Sequence, residues 1–196
     1  AVAAAVDEML AAGVESVAVC FLHAYANSAN ELAAAKAIAA AHPDLSVSLS
    51  SRVLPEIGED ARTSTTAANA YVRPLVARYL ADLVQLLLER GSKGAFFVMS
   101  SSGGTLSLEL AREFPVRLVE SGPAAGVSIA AHYATELEKP NLLSFDMGGT
   151  TAKISLVQGG VPTRTNELEV ARVRRFHKGS GILLKAPAID LIEIGA

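Results

Sequence analysis

Apolar positions along the chain switch between stretches of helical period and short dense runs of strand length, with Gly or Pro at most of the switches. Residues 2–12 read as a helix stopped by Gly13, and 16–22 as a buried strand. A helix over 29–41 ends at His42-Pro43, and a short alternating strand follows at 45–49. That order, strand then helix then strand, predicts a βαβ unit in a largely parallel sheet. Residues 50–59 read as a loop. From 66 to 90, Val72, Leu75, Val76, Tyr79, Leu83 and Leu87 recur at helical spacing, with Arg78, Asp82, Gln85 and Glu89 opposite them. A long amphipathic helix is expected there, kinked or restarted at Pro74 and ended by Gly91.

The second half opens with a strand over 95–99, a polar turn at 100–104, a short helix at 107–113 and an extended segment at 116–119. A helix rich in small residues begins at Glu120-Ser121-Gly122-Pro123 and runs to about residue 137. After the linker 138–140, the apolar run 142–145 ends in Asp146. Gly148-Gly149, Thr150-Thr151 and an alternating strand through Ile154, Leu156 and Val157 come next, so this segment reads as a β-hairpin. A second hairpin is expected between 154–158 and 161–168, turned by Gly159-Gly160. The sequence has no internal repeat.

Composition narrows the class. With 196 residues, 51% of them hydrophobic, the chain has material for one large domain or two small ones. A net charge of −3 gives no support to nucleic-acid binding. No apolar run of membrane-spanning length occurs, and the alanine-rich start lacks the basic region of a signal peptide, so no membrane role and a cytoplasmic location are expected. The single cysteine, Cys20, excludes an internal disulfide and reads as a buried strand thiol. With no initiating Met and a start inside a helical pattern, the chain is expected to be a central piece of a longer protein.

The glycine hairpin carries the most chemistry. Dinucleotide and P-loop motifs need a helix after their glycines, whereas here a strand follows. Backbone N–H groups at such a tip can close on an oxyanion, a carboxylate on one side can hold a cation or water, and hydroxyls flank the other side. Asp146, Gly148, Gly149, Thr150 and Thr151 are therefore candidates for gripping nucleotide phosphates with Mg²⁺, although an ordinary hairpin turn uses the same residues. The turn holding Ser101, Ser102, Gly103 and Gly104 follows a strand read as buried, where open α/β sheets place ligands. Arg62 and Ser121 are candidate substrate contacts, Arg62 because its fork suits a carboxylate or phosphate. Ser64 and Thr65 read as caps of the long helix. His23, Tyr25 and Asn27 lack the further ligand a metal site needs. The basic run Arg172, Arg174, Arg175, His177, Lys178 reads as a solvated strand face.

Six ordered segments, 17–27, 48–74, 99–104, 119–127, 144–156 and 192–196, together resemble the hydantoinase A / 5-oxoprolinase family, closest to its N-methylhydantoinase A branch. The helix-then-hairpin order is similar to the connecting helix and second phosphate loop of the actin-like ATPase superfamily. The resemblance implies an α/β fold of actin-like, ribonuclease H-like type: a mostly parallel sheet with flanking helices, then a hairpin-rich start of a second lobe. The division expected is 1–140 for the first lobe with its connecting helix, and 141–196 for the second.

The implied activity of the full-length protein is ATP-dependent hydrolysis of a cyclic amide such as a hydantoin or 5-oxoproline, with Asp146 orienting Mg²⁺ or its water. ATP and Mg²⁺ are the implied cofactors, and a hydantoinase B-type second subunit is the implied partner. The isolated piece is expected to be inactive. Ketone carboxylation, or a non-catalytic actin-like regulatory module, are the alternatives.

Overall fold

The structure, a computed structural model, describes residues 2–174, 177 and 179–195. Its contacts gather into two compact units, Ala1–Ala95 with Arg112–Val116, and Phe96–Ala111 with Arg117–Ala196. Within the second unit, the helix before the hairpin buries its small residues against the hairpin strands.

In the first unit, α1 (Val2–Ala11), β1 (Ser16–Val19), α2 (Ala29–Ala41) and β2 (Ser46–Leu49) follow in order. β1 and β2 pair in parallel, Ser16 opposite Ser46 and Val19 opposite Leu49, so the expected βαβ unit is present. Val6, Val17, Val19, Ala34, Ile38 and Leu49 form its core. The segment read as a loop instead holds a short helix α3 (Ser50–Val53), and the long helix α4 (Glu59–Glu89) starts seven residues earlier than its apolar pattern suggested. Glu59 and Asp60 fill its first turn, where carboxylates suit the helix dipole. The hydroxyl run then falls inside the helix. Thr65 donates back to the Ala61 carbonyl and Thr66 to that of Arg62, as interior hydroxyls do, and neither Ser64 nor Thr65 is a cap.

α4 neither ends nor restarts at Pro74. Proline has no N–H for the carbonyl four residues back, which is Ala70. That carbonyl instead accepts a hydrogen bond from Ser16 Oγ at 2.7 Å. The same unit holds a buried polar network. Glu31 accepts hydrogen bonds from Ser50 Oγ (2.6 Å), Phe21 N (3.0 Å) and Ser51 N (2.8 Å). Ser50 Oγ in turn accepts from Arg62 Nε at 3.2 Å.

The second unit holds β3 (Phe97–Met99), β4 (Thr105–Ser107), α6 (Ser121–Glu136), β5 (Leu142–Met147), β6 (Thr151–Gln158), β7 (Val161–Pro162), β8 (Arg164–Val170), β9 (Ile182–Ile189) and β10 (Ile192–Gly195); α5 (Leu108–Glu113) straddles the division. The expected extended segment at 116–119 is a 3-10 turn, Pro115–Leu118. β3 is no buried parallel strand: it pairs antiparallel with β4, and 100–104 is their hairpin turn. β5 and β6 form the expected hairpin, Leu142 opposite Val157 through Met147 opposite Ala152. The second expected hairpin survives for two pairs, Val157 with Pro162 and Gln158 with Val161. Farther along that edge of β6, β10 takes over, Ile192 opposite Ile154 to Gly195 opposite Thr151. β8 pairs with β9 instead. The basic run is the connection between those two strands rather than a strand face. In it Arg172 pairs with Glu169 at 3.1 Å, while Arg175 and Lys178 lie outside the described residues. Among the described residues no helix is long and apolar enough to cross a membrane.

Candidate functional site

The β5–β6 hairpin brings Asp146, Gly148, Gly149, Thr150 and Thr151 into one exposed tip. Alternation along β5 puts Leu142, Ser144 and Asp146 on one face. The strand register sets Asp146 opposite Lys153, and Lys153 opposite Glu193 of β10. A row of acid, base and acid thus crosses the sheet beside the tip. The ammonium of Lys153 is drawn away from Asp146: Nζ lies 2.7 Å from Glu120 Oε2 and 3.4 Å from Glu193 Oε1. Burial opposes the charge on Lys153 more than any other single influence. The hydrogen bond to Glu120 and the charges of Glu120 and Glu193 together outweigh burial, so its pKa is raised above the ordinary lysine value. Among the described residues the Asp146 carboxylate meets no hydrogen-bond donor or cation, which leaves it open to a cation or water.

The loop itself corrects part of the expectation. Gly148 N–H does not face a ligand; it closes the turn onto the Thr151 carbonyl at 3.0 Å. Among the described residues the amides of Gly149 and Thr150 meet no acceptor. Nor does the fold require glycine here. Neither Gly148 nor Gly149 has positive φ; a Cβ on Gly148 would meet only Thr151 O at 3.8 Å, and one on Gly149 nothing within 4 Å. What two glycines supply at this tip is bare backbone, open to close approach from outside.

The serine turn has other work. Ser101 is 1% exposed. Its N–H and Oγ both donate to the Arg117 carbonyl, and its own carbonyl accepts from Ile189 N. Gly103 sits at φ +82°, with space for a Cβ taken by Ser128 Oγ at 2.6 Å and Ile189 Cδ1 at 2.8 Å. Ser101 and Gly103 therefore fasten this turn to α6 and β9 rather than offering groups to a ligand. Ser102, whose Oγ lies 2.8 Å from that of Ser100, is half-buried, and Gly104 is exposed.

Arg62, in the first unit, is 1% exposed. Its guanidinium donates to Ser50 Oγ, the Glu56 carbonyl and the Phe21 carbonyl, and lies 5.5 Å from the Tyr25 ring centroid. It is committed to holding the segment after β1 in place. Ser121 is the half-buried first residue of α6, next to Glu120, whose backbone is left-handed at φ 60°. His23 and Tyr25 contact each other (Nδ1 to Oη 3.4 Å), and Asn27 accepts from Ala29 N. Among the described residues no group of three or more His, Cys, Asp or Glu could hold a metal. Burial raises the thiol pKa of half-buried Cys20, in keeping with an unreactive cysteine.

Sequence reasoning missed the Glu120–Lys153–Glu193 arrangement and the cavity it borders. That cavity has a volume of about 640 Å³, within the range of small-molecule sites, and its walls include Glu120, Lys153, Glu167, Leu168, Asp190 and Ile192. Only the pairing of β10 with β6, distant in sequence, reveals it.

The fold defines an α/β protein, with a parallel strand pair in the first unit and antiparallel sheets in the second. The profile described as Hydantoinase/oxoprolinase matches residues 62–196, and the chain belongs to that family. It is 42% identical over 185 residues to an uncharacterised protein of Methanocaldococcus jannaschii, covering 93% of this chain and 27% of that one. It is 33% identical over 196 residues to the caprolactamase subunit alpha of Pseudomonas jessenii, covering all of this chain and 27% of the relative. The crystal structure of that ATP-dependent caprolactamase superposes with a TM-score of 0.83 at 31% identity, over 100% of this chain and 27% of the other. Nucleotide-free acetone carboxylase, from work on ATP-dependent acetone carboxylation, superposes with a TM-score of 0.81 at 27% identity, over 100% and 26%. The chain spans about a quarter of the length of these relatives.

Proposed function

We propose that the intact protein uses ATP to activate the carbonyl oxygen of a cyclic amide for ring opening, and that the 146–151 hairpin is its grip on the phosphates. One observation carries the reading: a glycine tip whose sterics do not require glycine, with two amides free of acceptors beside an open carboxylate. Family membership supports it, as do relatives whose names specify ATP dependence. In this reading the units belong to an actin-like ATPase architecture, and the protein works in the cytoplasm with a hydantoinase B-type partner. The relative named as a caprolactamase subunit supports a partner.

An amide carbonyl resists water because nitrogen donates its lone pair into it. Transfer of the γ-phosphoryl to the amide oxygen breaks the β–γ bridging P–O bond, forms a P–O bond to the substrate and releases ADP. Water then adds to the carbonyl carbon and the C–N bond breaks with a proton going to nitrogen, which leaves an acyl phosphate; a second water hydrolyses it to the carboxylate and free phosphate. The protein supplies position and charge in such a transfer. Gly149 and Thr150 N–H, with the Thr150 and Thr151 hydroxyls, hold phosphate oxygens. Asp146 would hold Mg²⁺; a single exposed carboxylate fits this ion, which keeps several waters and shares its sites with phosphates. Bound Mg²⁺ would neutralise phosphate charge. The cavity beside Lys153 receives the ring, with Ser121 at the start of α6 nearby in sequence.

ATP turnover by the intact protein with its partner, screened against hydantoins, 5-oxoproline and other lactams, tests the reading. Asp146→Ala should abolish turnover while leaving the fold intact, and unchanged turnover rejects the assignment. The likeness to acetone carboxylase favours one second reading, carboxylation of a ketone. Bicarbonate-dependent ATP consumption with a ketone, and none with cyclic amides, would establish it instead.

A further inference from the structure

The first unit holds a cavity of its own, bounded by α2, β2, α3, α4 and residues 113–114, with a volume of about 150 Å³. Arg52 and Arg73 line it beside Ser48, and Ala35, Val47, Val53 and Phe114 supply apolar wall. None of these residues belongs to the 146–151 hairpin or to the cavity beside Lys153.

The donors in this space are only partly used. Arg73 is half-buried and donates through Nη1 to the Val47 carbonyl. A guanidinium has five N–H groups, and among the described residues the others of Arg73 meet no acceptor. Arg52 pairs through Nη2 with Glu113 Oε1 at 2.8 Å, and its other N–H groups likewise meet no acceptor among the described residues. Ser48 is 2% exposed and its Oγ accepts from Asn69 Nδ2 at 3.0 Å. Its own proton has no acceptor among the described residues. A buried O–H left without an acceptor is costly, and this one lines the same small space as two incompletely used cations.

Charge around the cavity is unbalanced. Burial, the largest influence on Arg73, lowers its pKa below the ordinary arginine value. The charge of Glu113 opposes that, while Arg52 and Arg112 add to it, so one carboxylate is set against three guanidinium groups. A bound anion would offset the repulsion and give the Ser48 proton its acceptor.

Volume and lining narrow the class of anion. The cavity lies below the ~300–1,000 Å³ of sites for drug-sized ligands, so its ligand has few atoms. Inorganic phosphate has no apolar part to set against Val47, Val53 and Phe114. A carboxylate matches the fork of a guanidinium, and a short alkyl tail matches the apolar wall. We propose that this cavity is a binding site for a short-chain monocarboxylate, its carboxylate held by Arg52, Arg73 and the Ser48 hydroxyl and its alkyl end set against Val53 and Phe114. No residue of the phosphate hairpin takes part, so binding here needs no nucleotide.

Titration calorimetry of the intact protein without nucleotide, with butyrate as the probe, tests this. Arg52→Gln, which removes a charged donor, and Ala35→Leu, which fills the cavity, should each weaken butyrate at least about tenfold. Neutral butyramide should not displace butyrate, and inorganic phosphate should compete at least about tenfold more weakly than butyrate itself. No butyrate binding by the folded protein at up to about 10 mM overturns the proposal, as does an affinity that either folded variant leaves within about twofold. Displacement by butyramide overturns it in favour of a merely apolar pocket, and phosphate competing as well as butyrate overturns it in favour of a general oxyanion site. Circular dichroism verifies each variant's fold. The exposed side chain of Arg52 keeps the test decisive if Ala35→Leu fails to fold.

Discussion

Two glycines in the second unit should respond in opposite ways to the same added methyl group. At Gly103 an alanine must hold φ +82°, and its Cβ would lie 2.6 Å from Ser128 Oγ and 2.8 Å from Ile189 Cδ1. Left-handed backbone costs a residue with a Cβ about 1–2 kcal/mol, and forced overpacking about 1–3 kcal/mol more, so Gly103→Ala should cost about 2–5 kcal/mol. At Gly149 φ is not positive and nothing lies within 4 Å of the new Cβ. There alanine restricts the unfolded chain and should leave stability unchanged or raise it by about 0.4–1 kcal/mol. Urea titration followed by circular dichroism reads both values. In ATP turnover the order reverses. Gly149→Ala, which puts a methyl group where phosphate oxygens must approach backbone, should raise KM for ATP at least about tenfold, equivalent to about 1.4 kcal/mol. The reasoning is refuted if Gly149→Ala costs more than about 1 kcal/mol of stability, or if it folds normally and handles ATP like the unaltered protein.

Other consequences follow from the first unit. Ser16→Ala strips the Ala70 carbonyl of its donor and should cost about 1–3 kcal/mol. In a Pro74→Ala background the cost should shrink, because residue 74 then offers its own N–H, and an additive double-mutant cycle would contradict this. Desolvation raises the pKa of Glu31, but hydrogen bonds from Ser50, Ser51 and Phe21 outweigh it and hold the value below that of a free carboxylate. Stability from this group is therefore present above the unfolded carboxylate pKa, about 4.3, and is lost as pH falls through the lower folded value. Glu31→Gln should flatten that part of an acid titration of stability, and an unchanged slope would count against it. Lys153 has the opposite sign: its contribution holds below about pH 10.4 and fades above the raised folded value. Lys153→Met should accordingly remove part of the alkaline loss.

Much of the fold could be read from local pattern. β1, α2 and β2 obey short-range periodicity and turn chemistry, and the hairpin at 142–158 follows from one glycine pair between apolar runs. What failed depended on distance. Nothing near Ile192 reveals that it will lie opposite Ile154, so β10, the Lys153 arrangement and the cavity were invisible in the sequence. The 61–66 hydroxyl run misled because Ser and Thr serve equally as caps and as interior donors to carbonyls four residues back, and only the start of α4 at Glu59 decides between them. Arg62 drew notice as an anion-binding fork. Its guanidinium is held by Ser50 Oγ and the Phe21 carbonyl, and Ser50 in turn donates to Glu31, contacts distant in sequence. At the hairpin the residues gathered at the tip were legible, but not that Gly148 N–H closes the turn.

Hydrogen exchange of the intact protein with and without Mg·ATP addresses the phosphate grip most directly. The account predicts that peptides spanning 146–151 gain protection on nucleotide binding, with the amides of Gly149 and Thr150 slowed most. Bound nucleotide that protects other segments while exchange at this tip stays unchanged would contradict it.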